Sequence, residues 1–158
     1  MWVHVWSGFF QILIEIADGY HAAHNVKYIH IHAEKLTVEY LNNCQPTKIC
    51  MLSSLQHFSV ENLEDLIRTV GTLTGGNAPL FFSDIPDVNH LYDFYNTRER
   101  RLDYERRRAS GTEAIGTWWS RRHLIDLFAS HSYAAEMRDQ HSGRANAHYR
   151  FDLLARPV

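Results

Sequence analysis

The chain has 158 residues, the length of one domain, and 45% of them are hydrophobic, which is enough for a buried core. Its formal net charge of -2 argues against a general nucleic-acid binder, and no apolar run approaches the roughly 20 residues of a membrane span. Cys44 and Cys50 lack metal-binding or redox spacing, so we expect reduced thiols in a cytoplasmic protein. We predict a single domain over residues 1–158.

Strand-like and helix-like segments alternate in the first half of the chain. Residues 1–6 are β-prone, and apolar residues at helical spacing predict an amphipathic helix over residues 8–20. Alternating β-branched residues predict a strand over residues 26–32, and a short apolar run predicts a buried strand over residues 48–52. Ser59 is a candidate N-cap for the helix that follows.

Residues 74–87 organise the second half. Gly75 and Gly76 end the preceding helix, an apolar run forms a buried strand, and Pro86 ends that strand because it lacks an N–H. Residues 88–109 are predicted as one charged helix, and Ser120 as the cap of another.

Two strands close the chain. Residues 133–139 and 148–155 are joined by a short connection, which predicts an antiparallel hairpin. The whole pattern predicts an α/β fold with a mostly parallel sheet and this antiparallel hairpin at its edge. Ser83, Asp84 and Asp87 then fall at the carboxyl end of a central strand, where open α/β sheets bind ligands.

Several segments, taken in order, resemble the class I, Rossmann-like S-adenosylmethionine (SAM)-dependent methyltransferases. Residues 26–36 are similar to the family's third strand and its Ala-Glu-x-Leu turn, and residues 48–58 to its fourth strand and polar exit. Residues 75–87 are similar to its fifth strand, and residues 116–120 with 146–154 to the last helix and hairpin of a small-molecule branch. The resemblance implies a three-layer sheet, SAM as cofactor and a small-molecule hydroxyl or amine acceptor.

The sequence departs from this family at its start. The family's first strand and Gly-rich loop are missing, so the chain is expected to begin near the second strand. His4 and His32 stand where the family has acids for the ribose and adenine, and the resemblance adds Ala33 and Ser53 to the cofactor side. The family's first strand lies between its second and fourth, so residues 2–6 shift into that slot, giving a rearranged six-stranded sheet, or a homodimer or partner chain supplies a strand.

Three residues are candidates for catalysis, each with a plainer alternative. His57 could take a proton from a hydroxyl near neutral pH, or be a surface histidine before a cap. Asp84 could orient the acceptor, or cap the helix after Pro86. His148 could grip a polar or anionic acceptor, whereas Arg150 and Asp152, on one face of the same strand, are better explained by cross-strand pairing.

Other conspicuous residues favour ordinary roles. His30 and His32 share a strand face at a spacing that zinc accepts, but a third ligand is lacking, so we predict no metal. The arginines of residues 98–108 are typical of a solvated helix face, and Trp118 and Trp119 of core and pocket-wall packing.

The sequence leaves three functional hypotheses open. The first is a SAM-dependent methyltransferase acting on a small molecule, without membrane or nucleic-acid partners. The second is a methyltransferase-like interaction or scaffold module that has lost SAM binding. The third is an incomplete reading frame or an engineered reduction, and a shared fold does not choose among them.

Overall fold

The computed structural model describes the backbone of residues 3–5 and 27–29, and the backbone and side chains of residues 46–158. The described strands are β1 (Val3–Val5), β2 (Lys27–Ile29), β3 (Ile49–Leu52), β4 (Leu80–Pro86), β5 (Tyr133–Asp139) and β6 (Arg150–Pro157). The described helices are α1 (Val60–Thr74), α2 (Leu91–Phe94), α3 (Arg98–Ala109) and α4 (Arg121–Ser130), with short 3-10 turns at Leu55–His57 and Val88–His90. None of these helices is long and apolar enough to cross a membrane.

Four of these strands form a mixed sheet in the order β3-β4-β6-β5. β3 and β4 are parallel neighbours, with Met51 opposite Phe82. β6 inserts between β4 and β5 and runs antiparallel to both. The predicted hairpin is therefore confirmed, but the prediction of a mostly parallel sheet is wrong, because the last strand of the chain contributes an antiparallel pairing on each of its sides.

β1 and β2 pair in parallel, with His4 opposite Tyr28. The Cα atoms of β1 also come within 8 Å of those of β3. β1 therefore lies beside β2 and near β3, but within the described residues no hydrogen-bonded ladder joins it to β3. The described strands form a two-stranded and a four-stranded sheet, and not the predicted single six-stranded sheet. The loop that follows β1 lies outside the described residues, so the prediction that the family's Gly-rich SAM-binding loop is missing stays a prediction.

Alternation along the strands separates an apolar face from a more polar one. Phe82 on β4 and Leu153 on β6 are buried with residues of α1 and α4, and the rings of Phe82 and Phe128 lie 5.6 Å apart. Buried in the same cluster are Leu63, Leu66, Ile67 and Val70 of α1 and Leu124, Leu127 and Phe128 of α4. On the opposite face Leu52 is exposed and Leu154 half-buried. Three layers require helices on that second face as well; the helix predicted over residues 8–20 lies outside the described residues, so the three-layer arrangement stays a prediction.

Side-chain caps set the helix boundaries. The predicted caps are confirmed, since Ser59 Oγ accepts from Asn62 N at 3.2 Å and Ser120 Oγ from His123 N at 3.4 Å. The prediction of one helix over residues 88–109 is wrong. Thr97 Oγ1 accepts from Arg100 N at 3.2 Å and starts α3 as a separate helix after the short α2.

Candidate functional site

The ends of β3 and β4 bring Ser53 and Asp84 together. The register of β4 breaks between Phe82 and Ile85, so the chain bulges at this point. Ser53 N donates to Ser83 O at 3.0 Å, and Ser53 Oγ donates to Asp84 Oδ2 at 2.8 Å. Ser53 and Asp84 both have positive φ, +51° and +67°, which costs energy outside glycine and concentrates at functional sites. Two adjacent parallel strands therefore end in a shared polar rim.

Arg150 is the buried cation of this rim, with a side chain only 7% exposed. Its Nη1 donates to Asp84 O at 2.6 Å and to Gln56 Oε1 at 2.8 Å, and lies 3.3 Å from Asp84 Oδ2. A buried charge is stable only with such partners. Arg150 therefore joins β6 to the exits of β3 and β4, and its contact with Asp84 on β4 is a cross-strand pairing of the kind predicted for it.

Asp152, two residues along β6, holds the bulge of β4 from the same face. Its Oδ1 accepts from Ser83 Oγ at 2.9 Å, from Asp84 N at 3.0 Å and from Gln140 Nε2 at 2.8 Å. Burial disfavours the ionised form, but the hydrogen bonds from Gln140, Asp84 and Ser83 outweigh it and lower the pKa of Asp152. Asp152 thus supplies the partner that the bulged backbone N–H of Asp84 needs.

Asp87, rather than Asp84, caps the turn after β4. Asp87 Oδ1 accepts from Asn89 N at 2.9 Å, and Asp87 Oδ2 accepts from Arg121 Nε at 2.6 Å. The capping alternative for Asp84 is therefore wrong, because the bulge carries its carboxylate to Ser53 and Arg150 instead. Asp84 is left at the rim with 22% of its side chain exposed.

The 3-10 turn that follows β3 is fixed by the segment before α4. Thr117 N donates to Gln56 O at 2.7 Å, and Trp119 Nε1 donates to Leu55 O at 3.0 Å. Gly116 has a φ of +91°, and a Cβ there would lie 2.4 Å from Gln56 O, so this approach requires glycine. Gln56 is thereby positioned to receive Arg150.

His57 is exposed at the end of that turn. Gln56 Nε2 lies 3.4 Å from His57 Nε2, and because an amide NH2 can only donate, the imidazole nitrogen is the acceptor in this contact. A chain of contacts therefore runs from His57 through Gln56 and Arg150 to Asp84 and Ser53.

An open pocket of about 470 Å³ lies in the loop between β5 and β6. Its lining consists of Gln140, Ser142, Gly143, Arg144, Ala145, Ala147 and His148. Gln140 connects this pocket to the rim, because it shares Asp152 Oδ1 with Asp84 N. The pocket that contains His148 is therefore two hydrogen bonds away from Asp84.

A cluster of aromatic rings packs next to His148 of this pocket. His148 meets the buried Tyr149 edge-on, with ring centroids 4.8 Å apart, and Tyr149 packs against Phe94 and Trp118. Trp119 is 2% exposed in the main core, and Trp118 packs against a second apolar cluster, so the predicted core packing is confirmed and the pocket-wall role stays a prediction. The arginines of α3 are exposed, and Asp103 pairs with two of them, as predicted for a solvated face.

The side chains of some predicted site residues are described by the structure, and those of others are not. Ser53, His57 and Asp84 lie along one network, and His148 lines the adjoining pocket. The backbone of His4 lies in β1 without a described side chain, and His32 and Ala33 are outside the described residues. Within residues 46–158 no group of three or more His, Cys, Asp or Glu side chains could hold a metal.

Sequence reasoning missed the partners that organise the rim, which are Gln56, Gln140 and the contact between Arg150 and Asp84. One signal for the last was present. Arg150 and Asp152 alternate with apolar residues at the start of the final strand, and charged residues are rarely buried without a partner.

No protein-family model matches the sequence, and no curated protein matches it. Solved structures match the fold. The pyocyanin biosynthetic protein PhzM matches with a TM-score of 0.64 and 9% identity, over 99% of this chain and 42% of PhzM. A SAM-dependent methyltransferase from Methanosarcina mazei matches with a TM-score of 0.63 and 11% identity, over 99% of this chain and 81% of that one. Magnesium protoporphyrin IX methyltransferase (ChlM) from Synechocystis, with bound SAH, matches with a TM-score of 0.56 and 12% identity, over 92% of this chain and 57% of ChlM.

These matches define the class of the fold, which is that of the SAM-dependent methyltransferases. At such low identities the likeness concerns the fold alone. The chain spans less than half the length of PhzM.

Proposed function

We propose that this chain transfers a methyl group from SAM to a hydroxyl or amine of a small molecule. The observation that carries the proposal is the network His57–Gln56–Arg150–Asp84–Ser53, which joins the exits of two adjacent parallel strands in a methyltransferase fold. In open α/β sheets this edge is the ligand side. The network lies next to a pocket large enough for a small molecule.

Ser53 is the described residue of the cofactor side, and its surroundings support the proposal. Ser53 is exposed, and its hydroxyl oxygen can still accept a hydrogen bond while it donates to Asp84. By resemblance, His4, His32 and Ala33 would hold the ribose and adenine, with Ser53 beside them. When bound, SAM supplies an electrophilic methyl group on a sulfonium, and ChlM is a neighbour of the same fold that contains SAH.

The chain's own part in the reaction is to align the acceptor and accept its proton. The acceptor oxygen or nitrogen forms the new bond to the methyl carbon as the carbon–sulfur bond breaks, and the acceptor's proton passes to a base. His57 and His148 are the candidate bases, because neutral imidazole accepts a proton near neutral pH. Asp84 would orient the acceptor from the rim, with its own position set by Ser53 and Arg150.

A non-catalytic scaffold is the second candidate function, and one contact pattern favours it. The carboxylate of Asp84 is already engaged by Ser53 and Arg150, so the network is also stable without a ligand. In that case the polar rim would serve the fold rather than a reaction.

Titration with SAM and with its product S-adenosylhomocysteine separates the two. We expect both to raise the melting temperature, because a ligand that binds only the folded state stabilises it. Methyl transfer to small hydroxyl and amine acceptors should then fall in H57Q and H148Q, while the exposed His123 gives the matched control, H123Q. An unchanged melting temperature at millimolar SAM would contradict the proposed methyltransferase activity and favour the non-catalytic scaffold.

Asp84→Asn tests the rim itself. Asn accepts positive φ, so the backbone is retained, but buried Arg150 loses its carboxylate. We expect the free energy of unfolding to fall by about 2 kcal/mol, which is less than the roughly 3–5 kcal/mol for breaking a fully buried pair, because Asp84 is partly exposed. Acceptor turnover should fall as well, whereas a variant with full turnover would remove Asp84 from the reaction.

A further inference from the structure

We infer that the pocket between β5 and β6 is a binding site for a small molecule that carries both an anionic group and a hydroxyl or amine donor. The inference deepens the proposed function, since it rests on that function in taking this molecule for the methyl acceptor. That the pocket binds a ligand at two points, one cationic and one a hydrogen-bond acceptor, is argued from the described contacts and does not depend on the proposed function.

The cationic point is Arg144. Its side chain is exposed at the pocket and makes no hydrogen bond or ion pair within residues 46–158. Asp152 is near enough for the Arg144 charge to act on it, yet the two form no ion pair in that same part of the chain. Other arginines near the site are committed, Arg150 to Asp84 and Arg121 to Asp87 and Asp139. Arg144 is therefore the guanidinium left to receive a carboxylate or phosphate.

His148 and Ser142 stand beside Arg144 in the pocket lining. Their side chains also make no hydrogen bond to the rest of residues 46–158. Both can donate to an anion, the first through a ring N–H and the second through its hydroxyl. The loop thus gathers three uncommitted polar side chains around one concavity.

The second point is Gln140, which is 8% exposed and lines the pocket. Its Nε2 donates to Asp152, but its Oε1 is buried without a partner in the described part of the chain. Buried polar atoms are seldom left so, because the group has lost its water and gained no replacement. A ligand O–H or N–H would supply the missing donor.

The two points define the ligand class. Arg144 selects an anionic group, and Gln140 selects a donor on the same molecule, which describes hydroxy acids, amino acids and phosphorylated alcohols. A neutral alcohol satisfies only Gln140, and a simple carboxylate only Arg144. Gln140 also links the donor end to Asp152 and hence to the backbone of Asp84, so the group to be methylated would lie on the rim side.

Three small probes of similar size isolate each point: lactate, propionate and propylene glycol. Backbone amide NMR of the full chain follows the signals of Gly143, Arg144 and His148. We expect lactate to bind at least ~10-fold more tightly than either of the others, with shifts confined to this loop. R144Q should bring lactate down to the affinity of propylene glycol, whereas R108Q, at an exposed arginine of α3, should leave it unchanged.

Each outcome decides a part of the inference. Equal affinity for lactate and propionate overturns the donor point without any need to replace the buried Gln140. Equal affinity for lactate in R144Q and in the unchanged chain overturns the anionic point, and shifts that fall outside the loop overturn the site. If the chain binds lactate but not SAM, the pocket is a binding site and the proposed methyltransferase activity is wrong. If it binds SAM but shows no response to lactate, the inference about the pocket is wrong and the proposed function stands.

Discussion

The two faces of β4 and β6 are built from alternate residues of the same strands but obey different rules. Phe82 and Leu153 point to the helices and are buried among rings and aliphatic chains without a polar partner. Asp84 and Arg150 leave the same strands at the polar rim, where nearly every contact is a directed hydrogen bond. An apolar core tolerates substitutions that conserve side-chain volume, whereas the hydrogen bonds of the rim need specific donor and acceptor atoms at specific distances.

The difference predicts where damage spreads. A hole on the helix-facing side lowers the stability of the whole fold, because that cluster includes residues of both α1 and α4 as well as four strands. A change at the rim acts on a few groups and on what they hold. Variants on each side can therefore break or sharpen the distinction.

Phe128→Ala should give the largest effect. Phe128 is fully buried and its ring packs against Phe82 at 5.6 Å and Tyr133 at 6.3 Å. Removing a buried ring leaves a cavity and should lower the free energy of unfolding by about 3–5 kcal/mol, measured by urea denaturation. Native-state lactate shifts at Gly143 should persist where the variant is folded.

Phe81→Ala is the matched control on the opposite face of the sheet, where the ring is only half-buried. Its loss should be clearly smaller. Equal losses in the two variants would mean that the second face is packed as tightly as the first, and the contrast between the faces would not stand.

The helix-facing side was largely predictable, because burial leaves a periodic signal. The short apolar run at Leu80–Pro86, the caps Ser59 and Ser120 and the closing hairpin all follow from local patterns, and the structure contains each of them. The break before α3 also had a local signal, because Thr97 is a helix-capping residue. The charged residues around Thr97 nevertheless favoured the prediction of one continuous helix.

The rim was less predictable, because its contacts join residues far apart in sequence. Arg150 meets Asp84 across 66 positions and Gln56 across 94, and no local pattern specifies such pairs. The bulge that turns Asp84 toward Ser53 has no glycine to announce it, although both residues adopt positive φ. The mixed direction of the sheet likewise depends on β6 inserting between β4 and β5, which is a choice of topology rather than of local propensity.

Gly116→Ala should have an intermediate effect and act through the rim. A Cβ at this position would meet Gln56 O at 2.4 Å with φ at +91°, so both the backbone angle and the contact are penalised. We expect a loss of about 2 kcal/mol in the free energy of unfolding. Hydrogen exchange of the Trp119 indole N–H should also accelerate, because its bond to Leu55 O depends on the same approach.

Gly111→Ala isolates the backbone angle from the contact. Gly111 has a φ of +70° but faces open space, so its loss should be about 1 kcal/mol, without a change at Trp119. If the two alanine variants behaved alike, the close approach of Gly116 to Gln56 would contribute nothing to the rim.

Asp152→Asn should give the smallest effect at neutral pH and the clearest one in acid. The pKa of Asp152 is lowered in the folded chain, as its hydrogen bonds from Gln140, Asp84 and Ser83 outweigh its burial. A lowered carboxyl pKa means that its stabilisation is present above the unfolded value of 3.8 and is lost as the pH falls through the folded value. The free energy of unfolding, measured by chemical denaturation from neutral pH into this acidic window, should therefore fall less steeply in D152N. The side-chain oxygen of Asn still accepts a hydrogen bond from the bulge. Glu105→Gln, at an exposed carboxylate of α3, controls for the loss of one negative charge. If D152N and E105Q followed the same acid limb, the hydrogen bonds to Asp152 would not favour its charged form.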